Sequence, residues 1–233
     1  MQSVKQSFFS IVFAVFSIPF LEAMLLNRAK WGLSFSAAGL LTPFHLGAME
    51  GLREVGILQD NTPLAGASGG ALAAVCAAAN VPSAELLAIT TRISFLCEKE
   101  GTFGTLGRAL DQALEETIPI DIAGQLNARK GSVTVAYQQV FPSFKSCMVS
   151  SFMDKEDVCE CLRASCNIPF YSYSPRKRIG VSVRDGYGID GFFATPLHRV
   201  GCPPIPTDEA SNYIMISPFT TFEGMNTGNN IPI

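Results

Sequence analysis

Gly66-Ala67-Ser68-Gly69-Gly70 places one serine among small residues in the pattern G-x-S-x-G. That pattern serves nucleophilic chemistry when a sharp strand-to-helix turn lifts the hydroxyl clear of the backbone, and small neighbours are needed because the chain crowds itself there. The flanking sequence supplies such a turn. Pro63 to Ala67 is short and apolar enough for a strand, and GGALAAVCAAAN from Gly69 is Ala-rich and helical. A helix beginning at Gly69 aims its free N–H groups and positive dipole end at Ser68. A Gly-rich helix cap with an inert serine would carry the same letters, so the motif needs partners.

A serine hydroxyl is a weak nucleophile and requires a base. The downstream candidates are Asp185-Gly186, Asp190-Gly191 and His198. Two architectures stay open on residue types alone: a Ser68-Asp190-His198 triad in α/β-hydrolase order, and a dyad in which one aspartate takes the proton directly.

The elements that must hold these residues are readable. Trp31 to Ser36 reads as a short buried strand. Phe44, Ala48, Gly51, Leu52 and Val55 then recur at helical spacing, with Gly56 as the stop. Ser83 is the expected cap of a helix whose Leu86, Ile89, Ile93 and Leu96 share one face, and a further helix around Leu106 to Leu114 stops before Pro119. Strands are expected over Gly131 to Gln138, Lys145 to Ser150, Ile179 to Val183 and Tyr213 to Ser217. Asp154 caps a helix running to about Ser165, with Glu156 and Asp157 in its first turn. Strands alternating with helices indicate an α/β fold with a largely parallel central sheet.

Bulk properties narrow the partners. The 233-residue chain is 48% hydrophobic with a mean hydropathy of +0.26, which suits a large core and an apolar ligand or membrane. A net charge of −3 offers no basic excess for a phosphate backbone, so nucleic acid is set aside. Cys76, Cys97, Cys147, Cys159, Cys161, Cys166 and Cys202 include no C-x-x-C pair, which argues against a zinc site, and their odd number argues against a complete disulfide framework. Reduced, mostly buried thiols are expected, with no metal and no cofactor.

Four segments in order carry a resemblance: SFSAAGLLTPFHLG (34–47), GASGG (66–70), ASCNIPFYSYSP (164–175) and IDGFFATPL (189–197). Together they resemble the patatin-like phospholipase family, and most nearly its animal-type branch that includes adipose triglyceride lipase. The resemblance implies a three-layer α/β/α fold with a largely parallel sheet and a serine elbow, and acyl-ester hydrolysis by a Ser-Asp dyad without histidine. It makes Ser68 the nucleophile and Asp190 the base, with backbone oxyanion donors at Ala38, Gly39 and Gly69, and Gly66, Gly70 and Gly191 supporting the motifs. Asp185 is then left to a turn, and His198 to a loop. His45 falls where the branch often has histidine, and a structural role is expected. Against the family's Gly-x-Gly-x-x-Gly loop, the glycine positions hold Ala37, Gly39 and Thr42. A β-branched Thr42 would resist positive φ, and Phe192 follows Asp-Gly where a small residue is usual.

The N-terminal run FFSIVFAVFSIPFLEAMLL, Phe8 to Leu26, carries only Glu22 and is long enough to cross a hydrocarbon core, to act as a signal peptide, or to form a helix that packs on the domain or lies on a membrane surface. The expected organisation is an apolar targeting or anchoring segment over 1–30 and an acyl hydrolase domain over 31–233. The expected substrate is a glycerolipid met at a membrane or lipid-droplet surface, on an endomembrane, organelle or secretory route. The alternatives are a catalytically inactive lipid-binding or regulatory relative, motivated by Ala37, Thr42 and Phe192, and a Ser-Asp-His esterase of another fold.

Overall fold

The computed structural model describes residues 31–173, 179–206, 208–210 and 212–219, with the backbone of 231–232. The expected targeting segment at 1–30 lies outside the described residues. Among those described, no helix is long and apolar enough to cross a membrane.

In chain order the elements are β1 (Trp31–Phe35), α1 (Thr42–Glu54), β2 (Leu64–Ala67), α2 (Gly69–Ala78), α3 (Ser83–Glu100), α4 (Thr105–Thr117), α5 (Ile122–Asn127), β3 (Val133–Phe141), β4 (Lys145–Val149), α6 (Lys155–Ser165), β5 (Val181–Val183), β6 (Gly186–Ile189), β7 (Asn212–Ile216) and β8 (Ile231–Pro232). Among the described residues, 3-10 turns lie at Gly39–Leu41, Gly191–Ala194 and Leu197–Arg199.

The strands β8, β7, β1, β2 and β3 are parallel, as the alternation with helices implied, and β4 closes β3 antiparallel. The result is an α/β architecture: a mixed, mostly parallel sheet flanked by helices. Alternating residues Leu33 and Phe35 on β1, Val133 and Val135 on β3, and Ile214 and Ile216 on β7 join Leu46, Met49, Val75 and Leu162 from the helices in one buried cluster. Burying each such side chain contributes about 1.5–3 kcal/mol. On β1, β2 and β3 the other parity includes the small residues Gly32, Ser34, Ala65, Ala67 and Ala136. Ile205 and Ala210 pack there on Ala65, while Ala194 packs on Ala67 and Ala136.

One register relationship positions the site. On β3, Ala136 pairs with Ala67 of β2, and Gln138 pairs with Ile189 of β6. Because β4 occupies the opposite edge along the same stretch, β2 and β6 share one edge of β3 and end head to head. The next residues of those two strands are Ser68 and Asp190.

Asp154 caps α6 as expected, its side chain accepting the Asp157 N–H at 2.9 Å. Three local expectations change. Ser83 is the first helical residue rather than the cap; Pro82 occupies that place and the Ser83 hydroxyl donates to Glu50 Oε1 at 2.5 Å. Helix α1 starts two residues before Phe44 and buries Thr42, His45, Leu46, Met49 and Leu52, leaving Phe44 exposed. Its apolar residues fit two overlapping faces, and the one holding Leu46, Met49 and Leu52 is buried. Leu86, Ile89, Ile93 and Leu96 of α3 do share a face, but it is only half-buried.

Candidate active site

Strand β2 ends at Ala67 and α2 starts at Gly69, so Ser68 alone makes the turn, at φ 53° and ψ −127°. A non-glycine residue held there costs about 1–3 kcal/mol, which the surroundings must offset. The motif glycines are explained by close approach. A Cβ on Gly66 would overlap the Gly70 carbonyl, and one on Gly70 would overlap the carbonyls of Phe35 and Ser36. Gly69 faces the loop after β1: a Cβ there would overlap Thr42 Oγ1 and stand 3.3 Å from Ala38 Cβ and 3.4 Å from Gly39 N. The first N–H groups of α2 lack intrahelical acceptors, so this junction concentrates free donors beside Ser68.

The loop resolves the expected difficulty with Ala37 and Thr42. Gly39 alone stands at positive φ, +53°, and it is the glycine that the chain retains. Ala37 is not among the positive-φ residues, and Thr42 is right-handed helical at φ −46°. Thr42 therefore carries no backbone penalty; its hydroxyl donates to the Gly39 carbonyl at 2.7 Å. Ala38 is buried at φ −141°, its carbonyl accepting the Leu41 N–H at 2.9 Å.

His45 is fully buried and structural in its contacts. Its Nε2–H donates to the Ser36 carbonyl at 2.9 Å, and Phe35 and Phe44 meet its ring edgewise. Burial lowers its pKa to about 4 against the smaller raising effect of that carbonyl, so the ring is neutral.

Asp190 follows β6 and is 3% exposed. Its Oδ1 accepts the Phe192 N–H at 2.8 Å, and its own N–H donates to the Asn167 carbonyl at 2.8 Å. Oδ2 is buried and unpartnered among the described residues. Burial raises the carboxyl to about 6, opposed by the Phe192 N–H and then by the nearby Ser68 hydroxyl. Ser68 is thus close enough to favour the carboxylate, although the pair does not close a hydrogen bond of ordinary distance and angle. Such contacts are often loose without substrate. Gly191 lets the turn pack down: a Cβ there would overlap the Ala136 carbonyl and approach Ala67 Cβ at 2.9 Å. Phe192 is tolerated because its N–H serves Asp190 while its ring lies outward over Gly201.

Asp185 forms the two-residue turn between β5 and β6, and is exposed. His198 is also exposed and makes no hydrogen bond among the described residues. Neither hydrogen-bonds to Ser68 among the described residues. Residue reasoning assigned no role to the carboxyl end of α6, where Ser165 Oγ accepts the Ser68 N–H at 2.8 Å and donates to the Ala136 carbonyl at 2.6 Å. The available signal was ASCNIPFYSYSP, a hallmark segment with no chemistry attached. Cys166 lies beside both Ser68 and Asp190; burial and then the Asp190 charge push its thiol up against a smaller opposing effect of Ser68, keeping it protonated. All seven cysteines are free, five of them buried.

A mostly parallel sheet with a strained serine between strand end and helix start defines an α/β protein of the serine-elbow class. A family model described as patatin-like phospholipase matches residues 33–200, and the chain belongs to that family. It is 29% identical over 197 residues to 1-acylglycerol-3-phosphate O-acyltransferase PNPLA3 of Homo sapiens, covering 81% of this chain and 37% of that protein. It is 27% identical to the Mus musculus protein of the same name, covering 82% of this chain and 44% of that one. The chain spans less than half the length of these curated relatives.

Proposed function

We propose that the protein is a serine-dependent acyl hydrolase of glycerolipids, with Ser68 as nucleophile and Asp190 as base. The observation that carries this reading is the head-to-head meeting of β2 and β6, whose following residues are Ser68 and Asp190. Ser68 Oγ attacks the ester carbonyl carbon and its proton passes to Asp190 Oδ2. The tetrahedral oxyanion is met by backbone N–H groups at Gly39, Gly69 and Ala38, each worth about 3–4 kcal/mol in such sites. Collapse expels the alcohol, which takes the proton from Asp190 and leaves an acyl-Ser68. Water then attacks, gives its proton to Asp190, and releases the fatty acid while Ser68 recovers its hydrogen.

A carboxyl raised to about 6 is ionised at neutral pH yet more basic than an ordinary aspartate, as a general base requires. The active reading is supported over the inactive alternative because Ala37 and Thr42 need no positive φ and the Phe192 N–H holds the aspartate. A second outcome deserves an arm in the assay: the relatives are named acyltransferases, and an acyl-Ser68 can pass its acyl group to an alcohol in place of water. Residues 1–30 are proposed as the segment that brings the domain over 31–233 to an endomembrane or lipid-droplet surface.

The test is turnover of a glycerolipid panel, with and without 1-acylglycerol-3-phosphate as acceptor, by wild type, Ser68→Ala and Asp190→Ala. Both variants should lose fatty-acid release and acyl transfer. Undiminished turnover by folded Ser68→Ala would refute the mechanism.

A further inference from the structure

We infer that Ser165 is a positioning residue that holds the Ser68 turn open by inserting its hydroxyl into a rung of the β2–β3 ladder; this rests on Ser68 being the nucleophile. In the parallel pairing of β2 with β3, the Leu64 N–H donates to the Ser132 carbonyl at 2.8 Å. Ladder bonds recur every second residue, so the rungs that continue it join Gly66 to Thr134 and Ser68 to Ala136. At that last rung the direct bond is replaced. Ser68 N–H donates to Ser165 Oγ, and Ser165 Oγ–H donates to the Ala136 carbonyl.

A hydroxyl suits this place because it accepts and donates at once. It satisfies the last donor of β2 and the facing acceptor of β3 while keeping them a side chain apart. Ser68 can then leave the strand at φ 53° instead of continuing it. Ser165 is fully buried, so no water would readily take over both bonds. The same short segment also holds the base: Asn167 O accepts the Asp190 N–H, and a Cβ on Gly191 would come within 3.0 Å of Ser165 Oγ. The carboxyl end of α6 is therefore the bracket that fixes nucleophile and base against each other.

Removing the hydroxyl leaves two choices. Either the Ser68 N–H and Ala136 carbonyl stay buried and unpaired, or they close the direct rung and draw Ser68 out of its turn. The first leaves the Ser68 turn without its anchor and the second moves the nucleophile, for which displacement by about 1 Å costs on the order of 100-fold.

The experiment measures fluorophosphonate labelling rates and kcat and KM on a short-chain ester, for the folded fraction of the full chain as wild type, Ser165→Ala and Ser165→Cys. Ser165→Ala should lower the labelling rate and kcat by about 10- to 100-fold with KM little changed. Ser165→Cys keeps a weaker donor and acceptor of similar shape and should fall between. A purely structural role would lower the melting temperature and leave the labelling of folded molecules alone. If Ser165→Ala does not fold, Ser165→Cys decides, and labelling at the wild-type rate overturns the assignment. Folded wild type that is not labelled defeats the Ser68 reading and this inference together; labelled wild type with unaffected Ser165 variants defeats this inference only.

Discussion

The Thr42 hydroxyl donates to the Gly39 carbonyl at 2.7 Å and so tethers the loop's left-handed residue to the first turn of α1. Thr42→Val keeps the shape and removes the hydroxyl's bond, leaving the Thr42 backbone N–H alone on the Gly39 carbonyl. Loss of one such bond should cost about 1 kcal/mol in a urea titration. In the proposed mechanism a less firmly held Gly39 is a poorer oxyanion donor, so kcat on a lipid ester should fall by up to roughly tenfold with KM nearly constant.

Glycine substitutions should separate by cause. Alanine at Gly70 drives a Cβ into the Phe35 and Ser36 carbonyls, backbone atoms of β1 and its loop that cannot swing aside. A cost of about 3 kcal/mol or more is expected. Alanine at Gly39 meets nothing within 4 Å and suffers only the left-handed backbone, about 1–2 kcal/mol. Chemical denaturation of the two variants should rank them in that order.

How far these features were legible follows from their physics. The Ser68 turn was readable because its steric demand falls on adjacent residues, Gly66 and Gly70. Asp190 needed the family pattern, since an Asp-Gly pair such as Asp185-Gly186 makes turns equally well and only strand register sets the two apart. Thr42 misled because the glycine spacing says where glycines occur, not which of them stands at positive φ. Ser165 was invisible as chemistry: its partners are backbone groups 97 and 29 residues away.

Asp190 and His45 should give opposite pH signatures. Burial holds the Asp190 carboxyl at about 6 against an ordinary 3.8, so between these values the folded state keeps a proton that the unfolded state has lost. Asp190 therefore lowers stability as pH rises through that window, by on the order of 3 kcal/mol. His45 is held at about 4 against 6.5, so there the unfolded state binds the extra proton and His45 lowers stability as pH falls. Measured against wild type, Asp190→Asn should gain stability as pH rises from about 4 to 6 and hold it at neutral pH, while His45→Gln should lose stability as pH rises from about 4 to 6.5. Urea midpoints across pH check both, and differences independent of pH would contradict the assigned environments. With Asp190 as the proposed base, the carboxylate is the active form, so wild-type kcat/KM should fall below a pH of about 6.

His198→Ala should leave turnover close to wild type, because the imidazole is exposed and unattached to the Ser68–Asp190 arrangement. Initial rates on one lipid ester suffice. A loss comparable with that of Ser68→Ala would restore the Ser-Asp-His triad.

The most direct measurement is the site and extent of fluorophosphonate modification, mapped by peptide mass spectrometry in wild type, Ser68→Ala and Asp190→Asn. The expected result is one adduct, on Ser68 in wild type, absent from Ser68→Ala and formed at least about 100-fold more slowly in folded Asp190→Asn. Folded wild type that stays unmodified, an adduct on another residue, or Asp190→Asn reacting at the wild-type rate would contradict a Ser68 nucleophile activated by Asp190.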